Sequence, residues 1–335
     1  AEDGRHVSVR YIVGVDIGGT NIVVGTVRED GGAIHGVRSV PTRPEEGAQA
    51  VIARIAGLVE ESVAETVAET GIGRGQVAGV GVGAPGPLDR ARGIVLLTPN
   101  LGWSLLPLRD LVSLSVHLPA TLDNDANCAI YGEWWVGAAK DARYVVGLTI
   151  GTGIGGGIVV DGKLYHGTSD IAGEIGHTTI DSTGRRCKCG NYGCLEAYAS
   201  GPAIAARAVE GIEAGADSSL AQLVDGDLAR VTAQTVYDAA QQGDDYAMEV
   251  VRETAKLLGA GVANLVNIFN PDVIVLVGGV TLAGDRLFVP LRAEVKRRAF
   301  KPAVERCRIL PGSLPGTAGV FGAAATFKLQ TWGQA

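Results

Sequence analysis

Tyr11-Ile-Val-Gly-Val-Asp-Ile-Gly-Gly-Thr20 is the stretch on which the fold turns. Tyr11 to Asp16 reads as a buried strand, because aromatic and β-branched side chains suit a pleated sheet. Gly18 and Gly19 break it, and a second β-rich run follows from Ile22 to Val27. The unit is therefore strand, glycine turn, strand. A later stretch, Tyr144-Val-Val-Gly-Leu-Thr-Ile-Gly-Thr-Gly153, repeats it: Tyr11, Val13, Gly14, Ile17 and Gly18 recur as Tyr144, Val146, Gly147, Ile150 and Gly151. In that frame Val27 falls over Val160. Two glycine-rich corners can agree by chance, but a long-period echo is also the mark of two similar halves. The second reading sets two turns of phosphate size face to face across a cleft.

Each corner has a use beyond turning the chain. Asp16-Ile-Gly-Gly-Thr-Asn21 offers a carboxylate, then small residues, then a hydroxyl. Turn amides can hold phosphate oxygens, and the carboxylate can hold Mg²⁺ through water. Gly151-Thr-Gly-Ile-Gly-Gly-Gly157 is the second corner. Either alone could be a plain tight hairpin. With Gly278-Gly279 behind the buried strand Val273–Val277, they favour a nucleotide. The dinucleotide pattern G-x-G-x-x-G occurs at Gly81–Gly86 and at Gly151–Gly156, but it needs a helix directly after it. The first runs into Pro87 and the second into Ile158-Val-Val160, so both are rejected. No Walker pattern is present.

Outward from the corners, residues 45–70 have helical apolar spacing at Val51, Ile55, Leu58, Val59, Val63 and Val67. Val77–Val82 reads as a strand entering Gly83-Ala-Pro-Gly-Pro87. Ala120–Leu122 reads as a strand entering Asp123-Asn124-Asp125, with a helix over 126–136. Asp245–Phe269 and 317–329 read as helices. No linker or low-complexity segment separates the halves. A carboxylate between a strand and a helix can orient a hydroxyl and take its proton in phosphoryl transfer. It can equally be a helix N-cap, and Asp123 and Asp125 could divide the two tasks.

Composition narrows the class. With 46% hydrophobic and 19% charged residues among 335, the chain has ample core and no disorder signature. A net charge of −7 without a basic run argues against nucleic acid and anionic membranes. No apolar run is long enough to span a bilayer. Residues 1–8 read as a frayed end with no signal peptide. The 49 glycines, roughly twice the usual ~7%, cluster after β-branched runs. That clustering suggests corners where backbone approaches something closely.

The cysteines are the sharpest local signal. Cys187, Cys189 and Cys194 lie within eight residues, while Cys128 and Cys307 stand alone. This is no disulfide framework, and it fits a reducing compartment. Three thiolates with His177 make a closed tetrahedral zinc site, structural because every position is filled by protein. Glu174 and Glu196 flank it. An imidazole bound to metal through one nitrogen presents the other as a fixed donor. With carboxylates this suits vicinal hydroxyls, although most glutamates are surface charges. Trp103, Trp134 and Trp135 read as packing residues.

Taken in order, Val15-Asp-Ile-Gly-Gly-Thr-Asn21, Gly83-Ala-Pro-Gly-Pro87, Leu122-Asp-Asn-Asp-Ala-Asn127, Gly151–Gly157, Gly173-Glu-Ile-Gly-His177 and Cys187-x-Cys-Gly-x-x-Gly-Cys-x-Glu196 resemble the ROK family (repressors, open reading frames and kinases), within it the bacterial glucokinases. The resemblance spans about 11–328. It implies an α/β, actin-like (ribonuclease H-like) two-lobed ATPase fold with an interlobe active-site cleft. The expected lobes are 1–123 plus 317–335, the smaller, and 124–316, the larger, which carries the zinc loop. By motif position Asp125 is the catalytic base. Gly86, Asn100, Asn124, Asp125, Glu174, His177 and Glu196 bind the sugar. Asp16, Gly18, Gly19, Thr20, Gly151, Thr152, Gly153, Gly278 and Gly279 bind ATP and Mg²⁺. His177, Cys187, Cys189 and Cys194 hold Zn²⁺. Many relatives carry Lys at the position of Asn21, so residue 21 receives no role.

The implied activity is ATP-dependent phosphorylation of glucose at the 6-hydroxyl by a cytoplasmic homodimer or homotetramer. Another hexose (N-acetylglucosamine, mannose or fructose) is the nearest alternative. A sugar-sensing repressor would need a DNA-binding helix-turn-helix ahead of the first corner, and about ten residues precede Tyr11. An actin-like polymer or chaperone ATPase would have no use for the zinc loop and its carboxylates.

Overall fold

The computed structural model describes residues 9–333. Residues 1–8, expected to be a frayed end, lie outside the described residues. The chain divides into two compact units. One comprises Ala1–Asp141, Leu164–Ala172 and Ser313–Ala335; the other comprises Ala142–Lys163 and Gly173–Gly312. The boundary expected at 123/124 thus falls at 141/142, and that at 316/317 falls at 312/313. The reason is packing. Helix Asp125–Trp135 lies along the C-terminal helix Ala318–Trp332 and so joins the first unit. A Cβ at Gly322 would overlap the carbonyl of Cys128, and one at Gly132 the carbonyl of Ala318. These two glycines serve close helix packing, a use other than the strand corners to which the glycine excess pointed.

The first unit is built on β1 (Tyr11–Ile17), β2 (Asn21–Arg28), β3 (Ile34–Pro41) and β4 (Val77–Ala84). The short strands β5 (Leu88–Asp89), β6 (Ile94–Thr98) and β7 (Trp103–Leu106) form a separate sheet, and β8 (Ala120–Asn124) completes the main one. The main order is β3-β2-β1-β4-β8, with β1, β4 and β8 parallel and β2 and β3 antiparallel. Val13, Val15 and Ile17 pack with Val51, Ile55 and Val59 of helix Ala48–Thr70. Alternation sends Ile12 to the other face, against Val320, Phe321 and Phe327. Asp16 shares that face: a Cβ on Gly319 would overlap its carboxylate.

The second unit repeats the plan. β9 (Tyr144–Ile150), β10 (Ile154–Val160), β11 (Lys163–Leu164), β12 (Val273–Val277) and β13 (Arg308–Pro311) run in the order β11-β10-β9-β12-β13. β9 and β10 are antiparallel, and β9, β12 and β13 are parallel. The frame of the echo needs one correction. Ile17 pairs with Ile22, but Ile150 pairs with Ile154, so the second turn is one residue shorter. Val27, opposite Ile12, therefore corresponds to Val159, opposite Val145, and not to Val160. Val146, Leu148 and Ile150 pack with Ile204, Val236, Leu258 and Leu291 of the helices that cover one face. Among the described residues no helix is long and apolar enough to cross a membrane.

Candidate active site

In the first unit one carboxylate lies near the end of β1 and another directly after the parallel strand β8. Asp16 precedes the last residue of β1, and burial pushes its carboxyl up to about 7, with the Asp125 carboxylate adding to the rise. Asp125 is the first residue of its helix. The N-cap is Asn124, whose Oδ1 accepts the amides of Ala126 at 3.0 Å and Asn127 at 3.1 Å. Neither aspartate is the N-cap, so capping does not account for Asp125. Its Oδ1 accepts the Ala126 amide at 2.8 Å. Asn124, expected to bind sugar, has its carbonyl oxygen engaged by the cap. Asp123 turns inward, to Arg90, His166, Asn127 and Gln330. Nothing in the sequence singles out Arg90, His166 or Gln330, which stand 33, 43 and 207 residues away.

The β1–β2 turn is braced from within. The Gly18 amide donates to the Asn21 carbonyl at 2.8 Å, so Gly18, expected among the phosphate contacts, has its donor committed. Gly19 and Thr20 are exposed. Thr42 holds the turn from β3's end: its amide donates to the Thr20 carbonyl at 2.8 Å and its hydroxyl to the Gly18 carbonyl at 2.7 Å. Gly86 has φ 93° and packs against the Leu97 carbonyl, while Asn100 is exposed. The tryptophans are packing residues as expected. Trp103 is buried, Trp134 stacks on Tyr131 with centroids 4.8 Å apart, and Trp135 meets Phe321 edge-on.

In the second unit Glu196 is no stray surface charge. Its Oε2 accepts the Ile154 amide at 2.8 Å, directly behind the β9–β10 turn, and its Oε1 lies 3.9 Å from the Cys187 sulfur. That turn is closed by the Gly151 amide donating to Gly153 at 2.9 Å, and the Gly201 amide donates to the Gly151 carbonyl at 2.8 Å. Thr152 is exposed. Gly278, at φ 105°, lies against the Ile150 carbonyl where any side chain would collide, and Gly279 opens a short helix beside it. The two stretches of this unit that the sequence assigns to the nucleotide are therefore adjacent.

His177, Cys187, Cys189 and Cys194 converge, with one ligand atom from each lying within 4.8 Å of the others. The Cys189 and Cys194 sulfurs are 3.7 Å apart. Tetrahedral zinc with Zn–S of about 2.3 Å separates sulfurs by about 3.8 Å. Burial, then the neighbouring thiols, push Cys194 up to about 12. A cation at this point would offset that rise, whereas the Asn191 amide already lowers Cys189. His177 turns Nδ1 to Cys187 at 3.8 Å and Nε2 to Glu174 at 3.9 Å. Cys128 and Cys307 stay outside the cluster, and burial raises both thiols.

The ROK family model matches residues 12–330. The chain belongs to the ROK family. It is 38% identical over 318 residues to a glucokinase of Thermotoga maritima, covering 95% of this chain and 97% of that one. It is 33% identical to a putative xylose repressor of a Caldicellulosiruptor species, covering 95% of this chain and 78% of the repressor. Among solved structures, a ROK family glucokinase from Streptomyces griseus in complex with glucose and AMPPNP superposes with TM-score 0.80 at 36% identity, covering 94% and 98%. The fold is the actin-like, two-lobed α/β fold of ROK sugar kinases. Within this ROK chain, the paired acids Asp16 and Asp125 belong to the first unit and the cysteine loop to the second.

Proposed function

We propose that this ROK protein transfers the γ-phosphoryl group of ATP to the 6-hydroxyl of glucose, giving glucose 6-phosphate and ADP. The observation that carries the reading is the pair Asp16 and Asp125, two carboxylates close enough for one to raise the other. Phosphoryl transfer to a sugar needs two such acids in different roles. Asp125 orients the hydroxyl and accepts its proton as the O–P bond forms and the bond to ADP breaks. Asp16 would hold the magnesium that accompanies the nucleotide. The Gly19, Thr20, Thr152 and Gly153 backbone and hydroxyls cradle the phosphates, and Gly278 and Gly279 admit the adenosine. Asn100, Asn124, Glu174, His177 and Glu196 read the sugar hydroxyls, with Gly86 leaving room beside them. Zinc, bound by His177, Cys187, Cys189 and Cys194, would fix the loop that aims His177 and Glu196. Free cysteines fit the cytoplasm, and a homodimer or homotetramer remains part of the reading.

The test is ADP release with Mg·ATP on glucose, mannose, fructose and N-acetylglucosamine, for wild type and Asp125→Asn. Turnover concentrates on glucose, and the variant binds glucose but loses about 10²–10⁴-fold in kcat. Near-normal turnover of the variant refutes the base assignment. Faster turnover on another hexose moves the substrate. The xylose-repressor likeness favours a second reading, sugar sensing, which would show as sugar binding with no turnover at all.

A further inference from the structure

At the end of β8 sits a carboxylate that the reaction above leaves unused. Asp123 is only 1% exposed. Its Oδ2 accepts from Arg90 Nε at 3.0 Å and from Gln330 Nε2 at 3.3 Å. Its Oδ1 accepts the amide of Asn124 at 2.9 Å and the Nδ2 of Asn127 at 3.3 Å. His166 Nε2 lies 3.1 and 3.0 Å from the two oxygens. Arg90 is held in turn by Asp170 Oδ1 at 3.2 Å. Donors from five residues surround the two oxygens of this buried carboxylate and fill its roughly four lone-pair sites, so a turned side chain would leave donors unpaired. Two of those donors, the Asn124 amide and the Asn127 side chain, bracket Asp125 on either side. The other side-chain donors include two from elsewhere in the chain, Arg90 after β5 and His166 from the segment Leu164–Ala172.

We propose that Asp123, clamped by Arg90 and His166, is a positioning residue that sets the direction of Asp125. The inference rests on Asp125 being the base. Asp123 locks the strand-to-helix junction, so the first turn of the helix presents Asp125 in one orientation. Misplacement of a reacting group by about 1 Å costs on the order of 10²-fold. Loosening the clamp therefore lowers kcat and leaves glucose binding nearly untouched.

The experiment measures kcat and glucose Kd, per folded molecule, for Asp123→Asn, His166→Ala, His166→Gln, Arg90→Lys and Asp125→Asn. Asp123→Asn and His166→Ala lower kcat about tenfold or more, with glucose Kd within about threefold. His166→Gln, which restores an N–H near the lost one, recovers most of that loss; a residue that only stabilises the fold would show no such split and no recovery. Unchanged kcat in both Asp123→Asn and His166→Ala overturns the proposal, as does a parallel loss of binding and turnover that His166→Gln does not repair. If Asp123→Asn does not fold, His166→Ala and Arg90→Lys decide, since these side chains are 12% and 19% exposed at the edge of the network. Asp125→Asn separates the two ideas. Normal turnover there refutes the base itself, whereas a large loss there with none in the clamp variants refutes only the positioning role.

Discussion

The β1–β2 and β9–β10 hairpins are the same device put to different ends. Both pair residue for residue around a glycine turn, in sheets of the same strand order. The position of Asp16 in the first is taken by Thr149 in the second, each one residue before the closing isoleucine. The first turn is braced by a side chain, Thr42, and the second by the backbone of Gly201, with Glu196 behind it. The shared backbone supplies corners with amides at their tips. What differs is the side chain beside each corner, and there the chemistry is assigned.

Converting the first corner towards the second is the harshest test of that division. Asp16→Thr installs the residue of the other hairpin. Turnover is expected to fall about 10²-fold or more, because the carboxylate proposed to meet the nucleotide's metal is then gone. The same variant has a stability signature. Asp16 holds its proton more tightly folded than unfolded, since its carboxyl rises from 3.8 to about 7. The folded state therefore loses stability as pH climbs from about 4 through about 7. Without nucleotide, Asp16→Thr should be more stable than wild type above pH 7, by a few kcal/mol at most. The advantage should vanish near pH 4. Urea unfolding across that range decides, and a pH-independent difference would place Asp16 in an ordinary solvated setting.

A milder intervention strikes only the second unit. Removing metal with a strong chelator, or Cys189→Ser, frees the loop that carries His177 and holds Cys187 near Glu196. Glucose affinity should drop about 10- to 100-fold. Affinity for a non-hydrolysable ATP analogue should change far less, because the Gly151 turn keeps its bond from Gly201. Equal losses of both ligands would show that the loop supports the whole unit and not the sugar readers alone.

What could be read in advance was local and repetitive. The strands, their glycine corners and the cysteine loop are written in short windows, where β-branched runs, turn residues and metal-ligand spacing act over a few positions. The Asn124 cap was beyond such reading, because Asp123, Asn124 and Asp125 all have good capping side chains and only backbone geometry chooses. The one-residue slip between the hairpins was hidden because both registers place β-favouring residues opposite one another. Asp123's distant partners Arg90, His166 and Gln330 were invisible because they stand 33 to 207 residues away. Gly132 and Gly322 went unread for a related reason. Their use lies in the approach of two helices far apart in the chain, which fixes the unit boundary as well.

The gentlest change sharpens the comparison because it can be made in one corner only. The Thr42 hydroxyl donates to the Gly18 carbonyl at 2.7 Å, and Thr42 is fully buried. Thr42→Val keeps the shape, leaves its backbone bond to Thr20 and removes that one donor. The lost bond and the unpaired carbonyl should cost about 1–2 kcal/mol of stability. A looser turn also presents Gly19 and Thr20 less well to phosphate, so KM for ATP should rise several-fold while KM for glucose stays put. The turn carbonyl of the second corner is braced by a backbone amide, from Gly201, which no side-chain substitution removes. If KM for ATP does not move, the first corner's amides are not where the phosphates rest, and the nucleotide is held by the second unit's corner instead.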